Sequence, residues 1–344
     1  MMTLMDMSCI ASRAVMIAAA IIVACASPSG SRRDDYNRAM RGDDELINAD
    51  LRGAALSSAD LEDANLNNAV LQSASLRGAN LIGASLRSAN LRNADISGAL
   101  LNGADLSWAD LTGANCSAAN MTKAKLIGVN LTSSRLVGII LKGSSLRRAE
   151  LSGISLRAVN VSGADLSGAR LEHATLDEAD LSGADLSWAS CFAASGRKAS
   201  FAHARLDFAI LERADLQWAS LEGASLKGAN LRRANLEGAR LKSADCDSAN
   251  LRETRLFQAG LVEAKLHHAN LINANLREAD CSKCGLQGAN LNGADLTRAN
   301  LEHANLDGAE LTGADVSGAR IDAKWKKILE RQKVRNYGAV VWVD

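Results

Sequence analysis

The chain has 344 residues, 47% of them hydrophobic but only 3% aromatic, so any core is built from Leu and Ala in narrow layers rather than from large packed rings. Lys plus Arg and Asp plus Glu both number 39, and this formal net zero provides no long-range field for drawing in nucleic acid or a strongly acidic partner. The length would ordinarily suggest two domains, but a single repeating period runs through most of it and argues for one elongated body.

Residues 1–25 carry a basic Arg13, an apolar run from Ala14 to Ala24 and then Cys25. The run is too short to span a bilayer comfortably and has the length of a secretory h-region. Ile22-Val23-Ala24-Cys25 resembles a bacterial lipobox, which implies signal cleavage, lipidation of Cys25 and a membrane tether in the cell envelope. Asp6 is unusual in such a basic leader, and the alternative is a cytoplasmic chain whose apolar N-terminus packs on the body of the protein. Residues 26–45 hold Ser, Gly, Pro28 and many charges, a composition that cannot bury a core and reads as a polar tether or N-terminal cap.

From Leu46 to Ile321 every fifth residue is a central apolar position, and the phase never slips. The clearest stretch, 289–316, reads ANLNGADLTRANLEHANLDGAELTGADV: Leu at the centre, Ala two places before it, and usually Asn or Asp one place before it. A period of five fits neither the 3.6-residue helix nor the two-residue strand, so the chain must turn a corner every five residues. The pattern A-(D/N)-L-x-x resembles the pentapeptide repeat family. That resemblance implies an all-β fold, a right-handed quadrilateral β-helix with four pentapeptides per square coil and the centre and minus-two side chains inside. Residues 46–322 then make about 14 coils, a rod roughly 65–70 Å long at the ~4.8 Å inter-strand spacing. Stability is expected to be nearest-neighbour in character, and both open ends need covers.

Most departures inside the array can be accommodated by packing. Cys191, Gly196 and Phe201 are consecutive centres, small, empty and oversized, so the ring is expected to fill its neighbour's void within one coil. Between 129 and 159 the minus-two Ala gives way to Val129, Ser134, Ile139, Ser144, Ile154 and Val159, where the coil is expected to widen or bow. The Asp and Asn of the minus-one column, such as Asp165, Asp180, Asp185, Asn290, Asp295 and Asn300, can bond nearby backbone at corners, a structural role before a catalytic one.

Past Ile321 the period stops, and 323–344 forms the last segment. DAKWKKILERQKVRN has Trp325, Ile328, Leu329 and Gln332 at helical offsets, which predicts a short capping helix over the last coil with Lys324, Lys326, Lys327, Arg331, Lys333 and Arg335 toward water. The closing GAVVWVD can add a strand along the cap or stay free.

Little of the chemistry invites catalysis. Cys281 and Cys284 form a C-x-x-C, but the phase places both in core columns, as it does Cys116, Cys191 and Cys246, where free Cys behaves as a small hydrophobe. No second C-x-x-C or inward His completes a zinc set. His173, His203, His267, His268 and His303 all fall in outward columns, and no phosphate-binding loop or dinucleotide fingerprint is present. The expectation is no enzyme, no cofactor and no metal.

The outward columns carry the better clue. Residues twenty apart stack on one face, so Trp188 and Phe208 lie one above the other with Ile210 around the next corner, a candidate surface for a protein partner or for a homodimer. Trp108 shares their column, and Trp218 faces the opposite side. Arg213, Arg232, Arg233 and Arg252 gather nearby, but with Glu212 and Glu253 beside them they read as a solvated, mixed-sign face. The expected function is a non-enzymatic, envelope-tethered scaffold or binding module. The alternative implied by the family resemblance is a cytosolic DNA mimic that binds a type II topoisomerase, which requires a strongly acidic rod. The flanks hold eight acidic and eleven basic residues, leaving 31 against 28 between 46 and 322, so nucleic-acid-like charge is missing.

Overall fold

A computed structural model describes residues 31–344 of the chain. With one exception among the described residues, the minus-one residues form parallel bridges with the residue twenty later, from Glu45 with Asn65 to Asp295 with Asp315. Twenty residues are four pentapeptides, so each coil has four short faces. The amides of one coil point at both neighbours: Leu66 N–H donates to the Ser85 carbonyl at 2.7 Å, while Val70 N–H donates backward to Ala49 at 2.9 Å. Almost nothing in a coil is bonded to itself except its corners, where the minus-two amide reaches the preceding centre, as Ala69 does to Leu66 at 3.0 Å.

The corner explains the rest of the repeat. The residue two places after each centre from Leu46 to Val316 has a left-handed φ, 57° at Asn68 and 70° at Gly113. An L-residue tolerates this region only without branching at Cβ. The non-glycine corner residues of the array include Asn, Ser, Asp, Arg, His and aromatic side chains but no Val, Ile or Thr. Asp and Asn at minus-one accept the amide two places on, Asp110 from Thr112 at 2.9 Å and Asp295 from Thr297 at 2.9 Å, so their carboxylates and amides tie the backbone. The centre and minus-two columns, Leu and Ala, are buried from Leu46 to Ile321 with few exceptions.

Two irregular stretches of core behave differently. A Cβ built on Gly196 would lie 3.4 Å from Cε2 of Phe201 and 3.0 Å from Leu216, so the ring of Phe201 occupies the space that Gly196 leaves. The ladder above is undisturbed: Cys191, Gly196 and Phe201 donate to the next coil at 2.7, 2.8 and 2.7 Å. Between 131 and 159 the run of bridges lacks, among the described residues, the pairing of Arg135 with Ser155. Neither Leu136 nor Gly138 donates to the next coil there, and the Leu131 bond is 3.1 Å. Ile139 and Val159 lie twenty apart, as do Ser134 and Ile154. Ile therefore stacks on Val in one column and on Ser in the other where Ala stacks on Ala elsewhere, and the coils part on that side.

Both ends are covered. Residues Ser31–Met40 form helix α1. Its polar sequence cannot make a core alone, but it borrows the end of the array: Ala39 is buried, and Asp35 accepts the Asp50 amide at 3.0 Å. Arg38 meets Asp43 at 2.8 Å and turns the chain into the first coil. At the far end strands β1 (Asn300–Leu301) and β2 (Arg320–Asp322) pair in parallel. A 3-10 turn, Ala323–Trp325, and helix α2, Lys326–Arg331, follow, shorter than the helix expected over DAKWKKILERQKVRN because Lys333 has φ +51°. Trp325 and Leu329 are buried, and the Trp325 indole N–H donates to Ala304 at 3.1 Å. Gln332, beyond the helix, accepts the Leu311 amide and donates to the Ala309 carbonyl at 2.7 Å, satisfying an edge that has no next coil. The closing segment adds strand β3, Val341–Val343, in parallel on β2. Among the described residues no helix is long and apolar enough to cross a membrane. The leader and Cys25 lie outside them.

Candidate partner surface

Side chains at the corner position lean over the next coil, and what they meet there decides their exposure. Trp108 leans over Gly128, where an added Cβ would lie 2.3 Å from the indole, and Trp218 leans over Gly238 in the same way. Phe208 leans over Gly228, where a Cβ would lie 2.7 Å from the ring. These glycines are shelves for aromatic rings. Trp188 has no such shelf: the next residue of its column is Phe208, and the two rings stack with centroids 4.4 Å apart and planes at 16°. Trp188 is 66% exposed, Phe208 48% and Ile210 43%, with Ile210 bridged to Ser190 and Asn230 just past the corner. The structure therefore brings Trp188 and Phe208 into contact and places Ile210 beside them on the adjoining face.

That adjoining face continues the surface. Phe192 is packed between His173, edge-on at 5.7 Å, and the Arg213 guanidinium, 5.9 Å from its ring centre. Glu253 gathers Arg233 at 2.5 Å, Arg252 at 3.0 Å and Arg232 at 3.9 Å, and Glu212 lies 3.9 Å from Arg232. The hydrogen bond from Arg233 is the main reason the Glu253 carboxyl sits below its ordinary range. Among the described residues no carboxylate lies within ion-pair distance of Arg213. The mixed-sign reading holds for Arg232, Arg233 and Arg252, while Arg213 is held by an aromatic ring instead.

Elsewhere acids are matched along the rod. Arg87 reaches Asp105 at 3.1 Å and Arg92 reaches Asp110 at 3.0 Å, each from one coil to the next. Burial pushes the Asp105 carboxyl up, but bonds from Ser107 and the Arg87 charge outweigh it and hold the group below its ordinary value.

Among the described residues the sulfur and imidazole groups, His173 apart, form no cluster of their own. Burial raises the thiols of Cys116, Cys191 and Cys246 to about 12, which keeps them protonated and unreactive at neutral pH. Cys284 is raised by its hydrogen bond with Cys281 and by burial, and its Sγ lies 2.9 Å from the Leu261 carbonyl. His267 pairs with Asp247 at 2.8 Å, and His303 lies 3.9 Å from Asp322. Among the described residues no three His, Cys, Asp or Glu side chains converge as a metal site.

Eight copies of the family model for pentapeptide repeats match residues 49–87, 89–128, 124–163, 154–190, 199–238, 219–258, 255–293 and 284–321. The chain belongs to the pentapeptide repeat family. Membership carries with it the right-handed β-helix, and the twenty-residue ladder is the quadrilateral form of it. The family's proteins are in general non-enzymatic structural or binding proteins. The copies leave out 191–198, the stretch of Cys191 and Gly196.

Among solved structures the chain is similar to HetL, a pentapeptide repeat protein involved in heterocyst differentiation regulation in the cyanobacterium Nostoc sp. strain PCC 7120. Identity is 32% over 62% of this chain and 88% of that one, with a TM-score of 0.31. QnrB1, a plasmid-mediated fluoroquinolone resistance protein, is 18% identical over 57% of this chain and 95% of its own, with a TM-score of 0.37. A pentapeptide repeat protein of the Arabidopsis thaliana thylakoid lumen is 26% identical over 33% and 77%, with a TM-score of 0.22. No curated protein matches the chain significantly.

The sequence reading named Trp188, Phe208 and Ile210 but missed Phe192 and its contact with Arg213. The signal was available: His173, Phe192 and Arg213 are 19 and 21 residues apart, next to the twenty-residue stacking interval.

Proposed function

We propose that this protein is a non-enzymatic solenoid of fourteen coils, capped by helix α2, that is tethered in the cell envelope through a lipidated Cys25 and binds a protein partner there. The observation that carries the binding role is the exposed Trp188–Phe208 stack, two uncovered aromatic rings in direct contact with Ile210 exposed beside them. Aromatic residues that a protein leaves uncovered in a group mark interaction sites more often than scattered ones do. Envelope tethering is supported by the basic Arg13, the apolar run and the lipobox-like Ile22–Cys25. A cytosolic DNA mimic is less well supported, since acids such as Asp105 and Asp110 are paired with arginine and form no bare negative stripe.

The test is the intact mass of the mature protein together with membrane fractionation, for the natural chain and for Cys25→Ala. The expected result is a membrane-bound chain starting at an acylated Cys25, released or left unprocessed in the variant. A soluble chain that keeps Met1 overturns the envelope reading and makes a gyrase supercoiling assay the next step.

A further inference from the structure

We infer that the face running from the Trp188–Phe208 corner to the Arg213–Arg233 corner binds a short acidic segment of its partner, in which one apolar side chain is flanked by carboxylates. This rests on the binding role proposed above and adds the chemistry of the ligand. Trp188, Phe208 and Ile210 together offer roughly 300 Å² of apolar surface, taking about 150–250 Å² for each whole side chain. A stable dimer needs about 800 Å² per partner, so the patch suits one anchoring side chain rather than a second rod.

Charge decides what flanks the anchor. Each face is three residues wide between corners, so a carboxylate next to a side chain at Ile210 comes to Arg213 within about 10 Å. Arg213 has no acidic partner among the described residues, and its guanidinium lies over the Phe192 ring, 5.9 Å from the ring centre, a contact that restrains it and lowers the entropy cost of using it. Over the next two coils Arg232, Arg233 and Arg252 share the single carboxylate of Glu253, with Glu212 at the edge. Four arginines against two glutamates leave a local excess of positive charge in a chain whose total is zero. Aromatic residues and arginine side by side are the composition of binding hot spots, and arginine matches the planar carboxylate with paired hydrogen bonds.

A library of random nine-residue peptides, panned on the full chain with the Trp188→Ala/Phe208→Ala double variant as counter-selection, tests this. The expected result is enrichment of peptides with Asp or Glu around a Trp, Phe or Leu, whose affinity falls about tenfold in Arg213→Glu. All three substitutions are on the outside, and circular dichroism checks that the variants keep the fold. Enriched peptides that are neutral or basic, or that bind Arg213→Glu as well as the natural chain, overturn the acidic ligand and leave the binding role standing. No enrichment on the natural chain over the double variant overturns the binding role as well. A chain that sediments as a dimer and becomes monomeric in Trp188→Ala makes a second copy the occupant and also overturns the inference.

Discussion

Residues 108–159 and 188–213 each begin with an exposed tryptophan of one column and run on over an irregular core, yet only the second keeps its ladder whole. In the first, Ile139 and Val159 repeat the same excess in the same column of neighbouring coils, and the bridge of Arg135 with Ser155 is lost. In the second, Phe201 and Gly196 cancel within one coil, and every amide of that stretch at a centre position still reaches the next coil. A solenoid can average volume around a coil but not along a column, because each coil must keep the same height as its neighbour. The candidate partner surface therefore stands on rigid backbone, while the opened side near Leu136 and Gly138 is where the rod gives.

The largest test of that contrast is Phe201→Ala, which removes the ring that also fills the Gly196 void. It is expected to cost about 3–5 kcal/mol or more in urea unfolding, because two adjacent centres are then empty. Gly196→Leu overfills the same coil and is expected to cost about 1–3 kcal/mol, and combining it with Phe201→Leu brings stability back to within about 1.5 kcal/mol of the natural chain. Additive losses in that double variant would show that the two positions do not compensate each other.

Next in size is Ile139→Ala with Val159→Ala, which restores the regular column. Hydrogen exchange is expected to slow at Leu136 and Gly138 as the coils close, and the stability cost to stay below the roughly 2–5 kcal/mol usual for each buried Ile→Ala. Unchanged exchange would place the cause elsewhere. Smallest is Trp188→Ala, which forfeits only an exposed stack and is expected to cost about 0.5–1.5 kcal/mol while removing peptide binding.

Much of this was legible in the sequence because a strict period is a strict geometry. The five-residue phase gave inside and outside for nearly every residue, the void at Gly196 and the contact of Trp188 with Phe208. It did not reveal that the bow near 135–155 breaks hydrogen bonds, since that depends on how far stacked Ile and Val side chains lift one coil from the next. Composition offered 26–45 as a tether or an N-terminal cap but did not show helix α1, whose polar residues pack on the end of the array through contacts such as Asp35 with Asp50. Gln332 is a similar case: it reads as part of an apolar stripe, but its amide serves the unpaired backbone of Leu311 and Ala309.

The account turns on one face being where a partner lands, and site-specific photo-crosslinking in the cells that make the protein tests that directly. A photoreactive phenylalanine analogue would replace, one at a time, Trp188, Phe208, Trp108 and Trp218, all exposed corner residues of similar backbone geometry. The account predicts one discrete adduct from positions 188 and 208 and none from 218 on the opposite side. Equal labelling from all four positions, or adducts from 218 alone, would contradict it.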